Sequence, residues 1–251
     1  MLDTKFRTTF NTTAHLYAEV RPGYPKELVQ DVINLSALTE HSRILEVGCG
    51  TGKATRSFAE RGYEMVCLDI GADLIAVARE KLREFPNVSF VEQAFEAWKS
   101  EGMFDLVISA TAFHWVDPKV RYLRASEALE SGGSLAVFSN QHVRKDEGFF
   151  VETQSLYDRY YLPLIADRPT YATSFPGVEA FEDTIKRVYP WTQTYSSEQY
   201  IKLLSTYSDH IALPDENRNL LFEGIVNLIE TRYNGQVTKH YEAVLDFRET
   251  E

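Results

Sequence analysis

Residues Glu46-Val47-Gly48-Cys49-Gly50-Thr51-Gly52 decide the fold of this chain. They sit between an apolar run, Ile44-Leu45-Glu46-Val47, and a helical pattern from Lys53 to Arg61. Gly62 closes that pattern at the position of a left-handed cap. Glycines at alternate positions let the backbone turn sharply and admit a ligand where a Cβ would stand. Two nucleotide motifs fail by the letter. The dinucleotide fingerprint G-x-G-x-x-G needs a third glycine at 53, which is Lys53. The phosphate loop G-x-x-x-x-G-K-S/T needs glycine at 47 and a hydroxyl at 54, where the chain has Val47 and Ala54.

The pattern around this loop alternates strand and helix. Met65-Val66-Cys67-Leu68-Asp69 reads as a second buried strand. Asp73 reads as an N-cap, and Leu74, Val77, Ala78, Leu82 and Phe85 repeat at helical spacing until Pro86. Val88–Val91 and Phe104–Ile108 give a third and a fourth strand. A helix carrying Val120, Leu123 and Leu129 is expected to end at Ser131-Gly132-Gly133, before a fifth strand, Ser134–Phe138. Apolar strands alternating with short helices predict an α/β fold, a parallel sheet covered on both faces.

Beyond residue 140 the character changes, and ten of the fourteen tyrosines fall after residue 150. Helical spacing covers 147–162, 197–206 and 214–232, while 185–195 and 237–247 are strand-like and able to complete the sheet. No repeat or Gly/Ser linker divides the chain. The expectation is one domain over 1–251, with an N-terminal lid segment over about 1–35. A ligand-binding core follows over about 36–140, then a helical lid and sheet completion over about 141–251.

A net charge of −11 argues against nonspecific nucleic-acid binding on electrostatic grounds, because a backbone binder shows a basic footprint. Cys49 and Cys67 form neither a disulfide framework nor a metal-ligand spacing, which suits a reducing compartment. No apolar run approaches the roughly 18 residues of a membrane span, and the first residues lack a signal-peptide core. A cytoplasmic protein acting on neither nucleic acid nor membrane is expected, with no metal.

Asp69 ends the second strand seventeen residues past Gly52. In an open α/β sheet a carboxylate there faces the crevice, within reach of a ribose diol. With that residue in place, the stretch from Arg43 to about Phe138 resembles the class I S-adenosylmethionine-dependent methyltransferases. The glycine loop resembles their first motif, and Cys67-Leu68-Asp69-Ile70 their acidic second-strand end. Tyr17 with Arg21-Pro22-Gly23-Tyr24-Pro25, Phe113-His114-Trp115-Val116 and Thr206-Tyr207-Ser208 resemble a small-molecule subgroup that includes proteins similar to trans-aconitate methyltransferases.

The resemblance implies a Rossmann-like seven-stranded mixed sheet, its last strand antiparallel, with S-adenosylmethionine across the strand ends. By position, Gly48, Gly50 and Gly52 would admit its methionine and ribose parts, and Glu46 would orient the loop or meet the amino group. Asp69 would hold the ribose, Ile70 would pack on adenine, and Ala110 would offer a carbonyl to the amine. Relatives often place an acid after the third strand, where this chain has Ala94. Adenine recognition would then rest on backbone groups at Ala94 and Phe95, with Gln93 able to substitute. Arg21, in a segment that folds over the cofactor in relatives, would clamp the methionine carboxylate.

Tyr17, Tyr24, Phe113 and Trp115 are candidate walls around a cationic sulfonium. His114 follows the fourth strand as a base, a substrate partner or a structural residue. Arg144, Lys145, Arg159 and Arg168 are the lid's candidates for meeting an anionic substrate. The expected reaction is methyl transfer to a small molecule, on a carboxylate or hydroxyl oxygen. Two other readings stay open: a nicotinamide-dependent oxidoreductase on a similar sheet, and a silent binding protein that keeps the cofactor fold.

Overall fold

The computed structural model describes residues 14–100, 102–143, 148–161, 176–182 and 184–250. Seven strands form one sheet in the order β3-β2-β1-β4-β5-β7-β6. They are β1 (Arg43–Val47), β2 (Glu64–Asp69), β3 (Val88–Glu92), β4 (Phe104–Ala110), β5 (Leu129–His142), β6 (Ile185–Ser196) and β7 (Gln236–Glu249). Strands β1 to β5 pair in parallel, and β7 runs antiparallel to both β5 and β6. Strand order reverses direction between β1 and β4, the position at which open α/β sheets bind their ligands.

β1 is buried on both faces, as its unbroken apolar run requires. On one face, Ile44 packs with Leu28 and Val32 of α2 (Lys26–Leu35) and Phe58 of α3 (Lys53–Ala59). On the other, Leu45 and Val47 pack with Phe95, Val107 and Ala125. The first helix, α1 (Ala14–Val20), lays Ala14 and Ala18 on Leu74 and Val77 of α4 (Ala72–Lys81).

Several boundaries differ from the sequence reading, each for a local reason. The N-cap of α4 is Gly71, with Asp73 in the first turn. Asp69 Oδ1 accepts the Gly71 N–H at 2.8 Å, so the chain turns two residues earlier than an Asp73 cap requires. The helix α5 (Arg121–Ala128) stops before Leu129, which already pairs with Phe104. The strand register then shifts before Ser134, and Gly132 takes φ +75° there, so the Ser-Gly-Gly turn is a bulge within β5. The 147–162 pattern is two short helices, α6 (Phe149–Glu152) and α7 (Gln154–Tyr160), divided at Thr153.

The C-terminal helices rest on an extension of the sheet. β5 pairs with β7 only as far as Tyr241, whereas β6 and β7 continue together to Gln236. Helices α8 (Ser197–Leu204) and α10 (Asp215–Arg232) bury Leu203, Leu221, Ile225 and Ile229 against this ribbon, and Val20 of α1 joins the same cluster. The short α9 (Ser208–Ile211) lies between them. The tyrosine enrichment has its cause here: Tyr195, Tyr200 and Tyr241 are buried, and the hydroxyls of Tyr195 and Tyr241 meet at 3.1 Å. Among the described residues, no helix is long and apolar enough to cross a membrane.

Phe58 is fully buried where α3 meets the sheet. Phe58→Ala should cost about 3–5 kcal/mol of stability, lowering the melting temperature by on the order of 10 °C. A calorimetric scan checks it, and an unchanged melting temperature would mean that α3 does not anchor the glycine loop.

Candidate active site

A cleft of about 550 Å³ opens over the carboxyl ends of β1, β2 and β4. The glycine loop forms its floor. All three alternate glycines adopt positive φ (+74°, +54° and +80°), but they serve different purposes. A Cβ on Gly48 would stand 2.3 Å from the Ala112 Cβ, and one on Gly52 would stand 2.5 Å from Leu82 Cδ1. Only Gly50 has nothing within 4 Å of that position, and it lines the cleft. Gly48 also borders the cleft, whereas Gly52 stands outside the lining as the left-handed N-cap of α3. Its glycine is needed for close packing under α4.

Asp69 fastens this loop. Its Oδ2 accepts the Gly50 N–H at 2.8 Å while Oδ1 holds Gly71. Ile70, Leu74, Gln93 and Phe95 continue the wall on that side. Ala94 is not in the lining, and its carbonyl accepts the N–H groups of Ala97 and Trp98 at 3.0 Å each. A flat group beside Asp69 would therefore meet Gln93 and Phe95, with Ala94 turned into its own helical turn.

Glu46 is 1% exposed at the end of β1, beneath the loop and within the cleft lining. Thr55 donates to its Oε2 at 2.6 Å, and Cys67 Sγ lies 3.8 Å from the same oxygen. Burial raises its pKa to about 8, with Asp69 adding to the rise against those two hydrogen bonds. The carboxyl is thus mostly protonated at neutral pH.

Arg21 lines the cleft, but Nε donates to Thr206 Oγ1 at 2.8 Å and Nη2 to the Thr206 carbonyl at 2.7 Å. That edge of the fork is committed to its own chain. The guanidinium also lies over Tyr207 at 4.3 Å and Tyr17 at 5.0 Å from the ring centroids. Tyr17, Tyr24, Ala110, His114 and Trp115 line the cleft as well, whereas Phe113 is a buried core residue behind it. His114 is exposed to the cleft, yet desolvation by the surrounding protein, with Arg121 adding to it, lowers its pKa below the usual 6.5.

Several lining residues escaped the sequence reading. Lys53, seen there only as a failed motif position, borders the loop, and burial with Lys81 nearby lowers its pKa to about 8. The Thr51 hydroxyl is buried without a partner. Thr111 and Ala112 follow β4, while Asn140 and His142 stand at the end of β5. Their place just past a strand's carboxyl end was the available signal. Of the lid cations, Arg159 lies over Tyr160 and not in the cleft; Arg144, Lys145 and Arg168 lie outside the described residues. Among the described residues, no His/Cys/Asp/Glu cluster is arranged to hold a metal.

Residues 44–133 match a family model described as a methyltransferase domain. The chain is 28% identical over 225 residues to an uncharacterized methyltransferase of Mycobacterium tuberculosis, covering 89% of this chain and 86% of the relative. It is 24% identical over 256 residues to a malonyl-acyl-carrier-protein O-methyltransferase of a Paenibacillus species, covering 92% of each. A solved structure from Anaeromyxobacter dehalogenans, provisionally described as a type II methyltransferase, superposes with a TM-score of 0.66 at 21% identity, covering 92% of this chain and 97% of that one. The matched domain, the relatives and the shared fold together support a class I S-adenosylmethionine-dependent methyltransferase, with S-adenosylmethionine as the methyl donor. The nicotinamide reading is not favoured. The residues fit that donor: Gly50 leaves an open cradle, Thr51 offers a buried hydroxyl without a partner, and the Glu46 carboxyl is buried within the lining.

A buried carboxyl with a raised pKa contributes stability that is present below its unfolded value and lost as pH rises through the folded one. For Glu46 that window runs from about 4.5 to about 8. Glu46→Gln, neutral at every pH, should melt progressively higher relative to the unligated wild type between pH 5 and pH 8. A constant difference across that range would mean that Glu46 is already ionised.

Proposed function

We propose that this enzyme methylates a small molecule, on an oxygen, inside this single cleft. The observation that carries the reading is the continuity of the lining. The glycine loop, Asp69 and Phe95 border the same space as His114, Asn140, His142 and Tyr207. Its volume of about 550 Å³ is in the small-ligand range of roughly 300–1,000 Å³. The likeness to an O-methyltransferase that covers nearly the whole chain supports oxygen as the acceptor atom.

The donor supplies an electrophilic methyl group carried on a sulfonium. What the chain adds is position and dryness, and orientation alone supplies roughly 7–11 kcal/mol in favourable cases. Asp69 would receive the ribose hydroxyls on its carboxylate, each oxygen of which accepts more than one hydrogen bond. Ile70 and Phe95 would enclose the adenine, with Gln93 at its edge, and Glu46 with the Ala110 carbonyl would meet the ammonium group. Lys53 and the remaining edge of Arg21 are the cations for the carboxylate. Tyr17, Tyr24 and Trp115 exclude water from the transfer.

His114 is neutral at neutral pH, because its pKa is shifted down. It is therefore ready to take a proton from a hydroxyl acceptor, whereas a carboxylate acceptor brings none to remove.

Asp69→Ala removes both the ribose acceptor and the clasp on Gly50. Titration calorimetry with S-adenosylmethionine should show a loss of roughly 10- to 150-fold, the equivalent of ~1.5–3 kcal/mol for a hydrogen bond to a charged group. Unchanged affinity would remove Asp69 from the site.

Labelled methyl transfer to a panel of phenols, alcohols and carboxylic acids tests the function itself. On a hydroxyl acceptor, His114→Ala should lower the rate by ~10²–10⁴ and abolish the acid limb of the pH profile. On a carboxylate the loss should be small and flat with pH. Transfer to none of the panel by an enzyme that binds S-adenosylmethionine would defeat the small-molecule reading.

A further inference from the structure

Lys239 is a buried cation that none of the chemistry above uses. It lies on β7, two residues before Tyr241, and is 3% exposed. Its Nζ stands 5.7 Å from the ring centroid of Tyr200, and 5.5 Å from those of Tyr207 and Tyr241. It donates one long hydrogen bond, to Tyr207 Oη at 3.4 Å. Arg21 lies over the same Tyr207 ring. No carboxylate in the described residues pairs with either cation. Asp209, which lines the cleft, is committed to His210 Nδ1 at 2.8 Å and to the Tyr161 hydroxyl at 2.6 Å.

Ring faces attract a cation, but they return only part of what its desolvation costs. The remaining edge of Arg21 is given above to the methionine carboxylate, whereas Lys239, beside the same Tyr207, meets only ring faces and one hydroxyl among the described residues; a buried cation so placed marks a site for an anion brought from outside. Tyr207 and Tyr241 both line the cleft, so that anion has a way in. We propose that Tyr207, polarised by Lys239 and flanked by Arg21, donates its hydroxyl to an anionic oxygen on the methyl acceptor, making the enzyme selective for acidic small molecules. The inference rests on the small-molecule reading above and specifies its substrate class.

Tyr207 serves as a donor and not as a base. Burial outweighs the pull of Arg21 and raises its pKa to about 12, so it stays protonated at neutral pH. A neutral phenol accepts from Lys239 on oxygen and gives its own proton to the ligand. Lys239 acts through it as a positioning residue, and its burial, with Arg21 nearby, lowers its own pKa to about 8.

The test uses the full chain saturated with S-adenosylhomocysteine. Calorimetric titration with benzoate, succinate and phenyl phosphate, each beside benzamide, succinamide and benzyl alcohol, should show at least one anion binding 10-fold or more tightly than its neutral counterpart. Lys239→Met and Tyr207→Phe should each erase that preference, leave S-adenosylhomocysteine affinity within about 2-fold, and raise KM for an acidic acceptor more than they lower kcat. Lys239→Arg should restore the preference.

Wild-type anion affinity should fall between pH 7 and pH 9, while Lys239→Arg holds flat. The other groups facing Lys239 are Tyr200, Tyr207 and Tyr241, all with raised pKa values, and the fixed charge of Arg21. His142, against Tyr241 at 6.4 Å, remains in both proteins. Anion affinity untouched by Lys239→Met and Tyr207→Phe, or neutral probes binding as tightly as anions, would overturn the proposal. The arms separate the two readings: anions that bind through Lys239 but are never methylated defeat the small-molecule function alone, and methylated acceptors indifferent to Lys239 defeat the anion site alone.

Discussion

The two hydrogen bonds accepted by Asp69 hold the site together. One carboxylate, at the end of β2, takes the N–H of Gly50 from the loop after β1 and the N–H of Gly71 from the turn before α4. Backbone donors in tight turns carry a cost when left unpaired, and a charged acceptor answers them with more than a neutral one does. Leu68 contributes to the same clasp, because its carbonyl accepts both the Gly48 and the Cys49 N–H. The loop is thereby tied to the neighbouring strand at three residues. Its third glycine is then pressed under α4, where Leu82 leaves no room for a Cβ. A flexible sequence becomes a fixed surface because its donors face acceptors on β2 and its turns fit glycine alone.

That arrangement explains what sequence made legible and what it hid. Strands β1 and β4 were readable because burial on both faces forces continuous apolar runs, and periodicity reports burial directly. The long strands β6 and β7 were readable by alternation, since β7 buries every second residue from Val237 to Phe247. Loop chemistry was readable at Gly50 and Asp69 because few residue types satisfy those conformations. Gly52 and Ala94 lie outside the cleft lining, which the motif could not show: a motif gives positions along the chain, and only packing decides which of them face the cleft. The surroundings of Lys239 could not be found by any such rule. Alternation sets Lys239 on the buried face between Val237 and Tyr241, but what gives it meaning are three tyrosines, two of them brought from α8 and the turn that follows it.

The tyrosine-rich C-terminal region solves a particular packing problem. The ribbon formed by β6 and β7 runs past the end of β5, so its inner face has no further strand to rest on. Leucine or isoleucine would cover it, but it also borders the cleft, whose lining there includes Asn140, His142 and Asp209. Tyrosine serves both sides, with an apolar ring for the core and a hydroxyl that finds a partner. Tyr195 and Tyr241 pair with each other, Tyr157 with His210, and Tyr161 with Asp209. Desolvation raises the pKa of Tyr195, Tyr200, Tyr207 and Tyr241. These phenols are therefore neutral hydrogen-bonding groups at neutral pH, and the cluster adds no negative charge to neutralise Arg21 or Lys239.

The N-terminal segment completes the enclosure through the one strained residue of the cleft. Thr111 adopts φ +58°, a conformation a β-branched side chain avoids, at a cost of about 1–3 kcal/mol. Its surroundings over-determine it. Its N–H is donated to the Phe138 carbonyl at 2.8 Å, and its hydroxyl meets that of Tyr24 at 2.7 Å. Tyr24 in turn packs edge-on against Phe138, and Asn140 donates to the carbonyl of Gly23. Three residues further back, Arg21 grips Thr206 on the far side of the cleft. A short stretch, Arg21 to Tyr24, is thus bound both to the ends of β4 and β5 and to the C-terminal helices. The turn at Thr111 directs the chain leaving β4 toward Ala112, whose Cβ fills the space that a side chain on Gly48 would need. The strained threonine, the loop glycine and the N-terminal tyrosine are therefore parts of one constraint, and the position of the cleft's roof follows from the geometry of its floor.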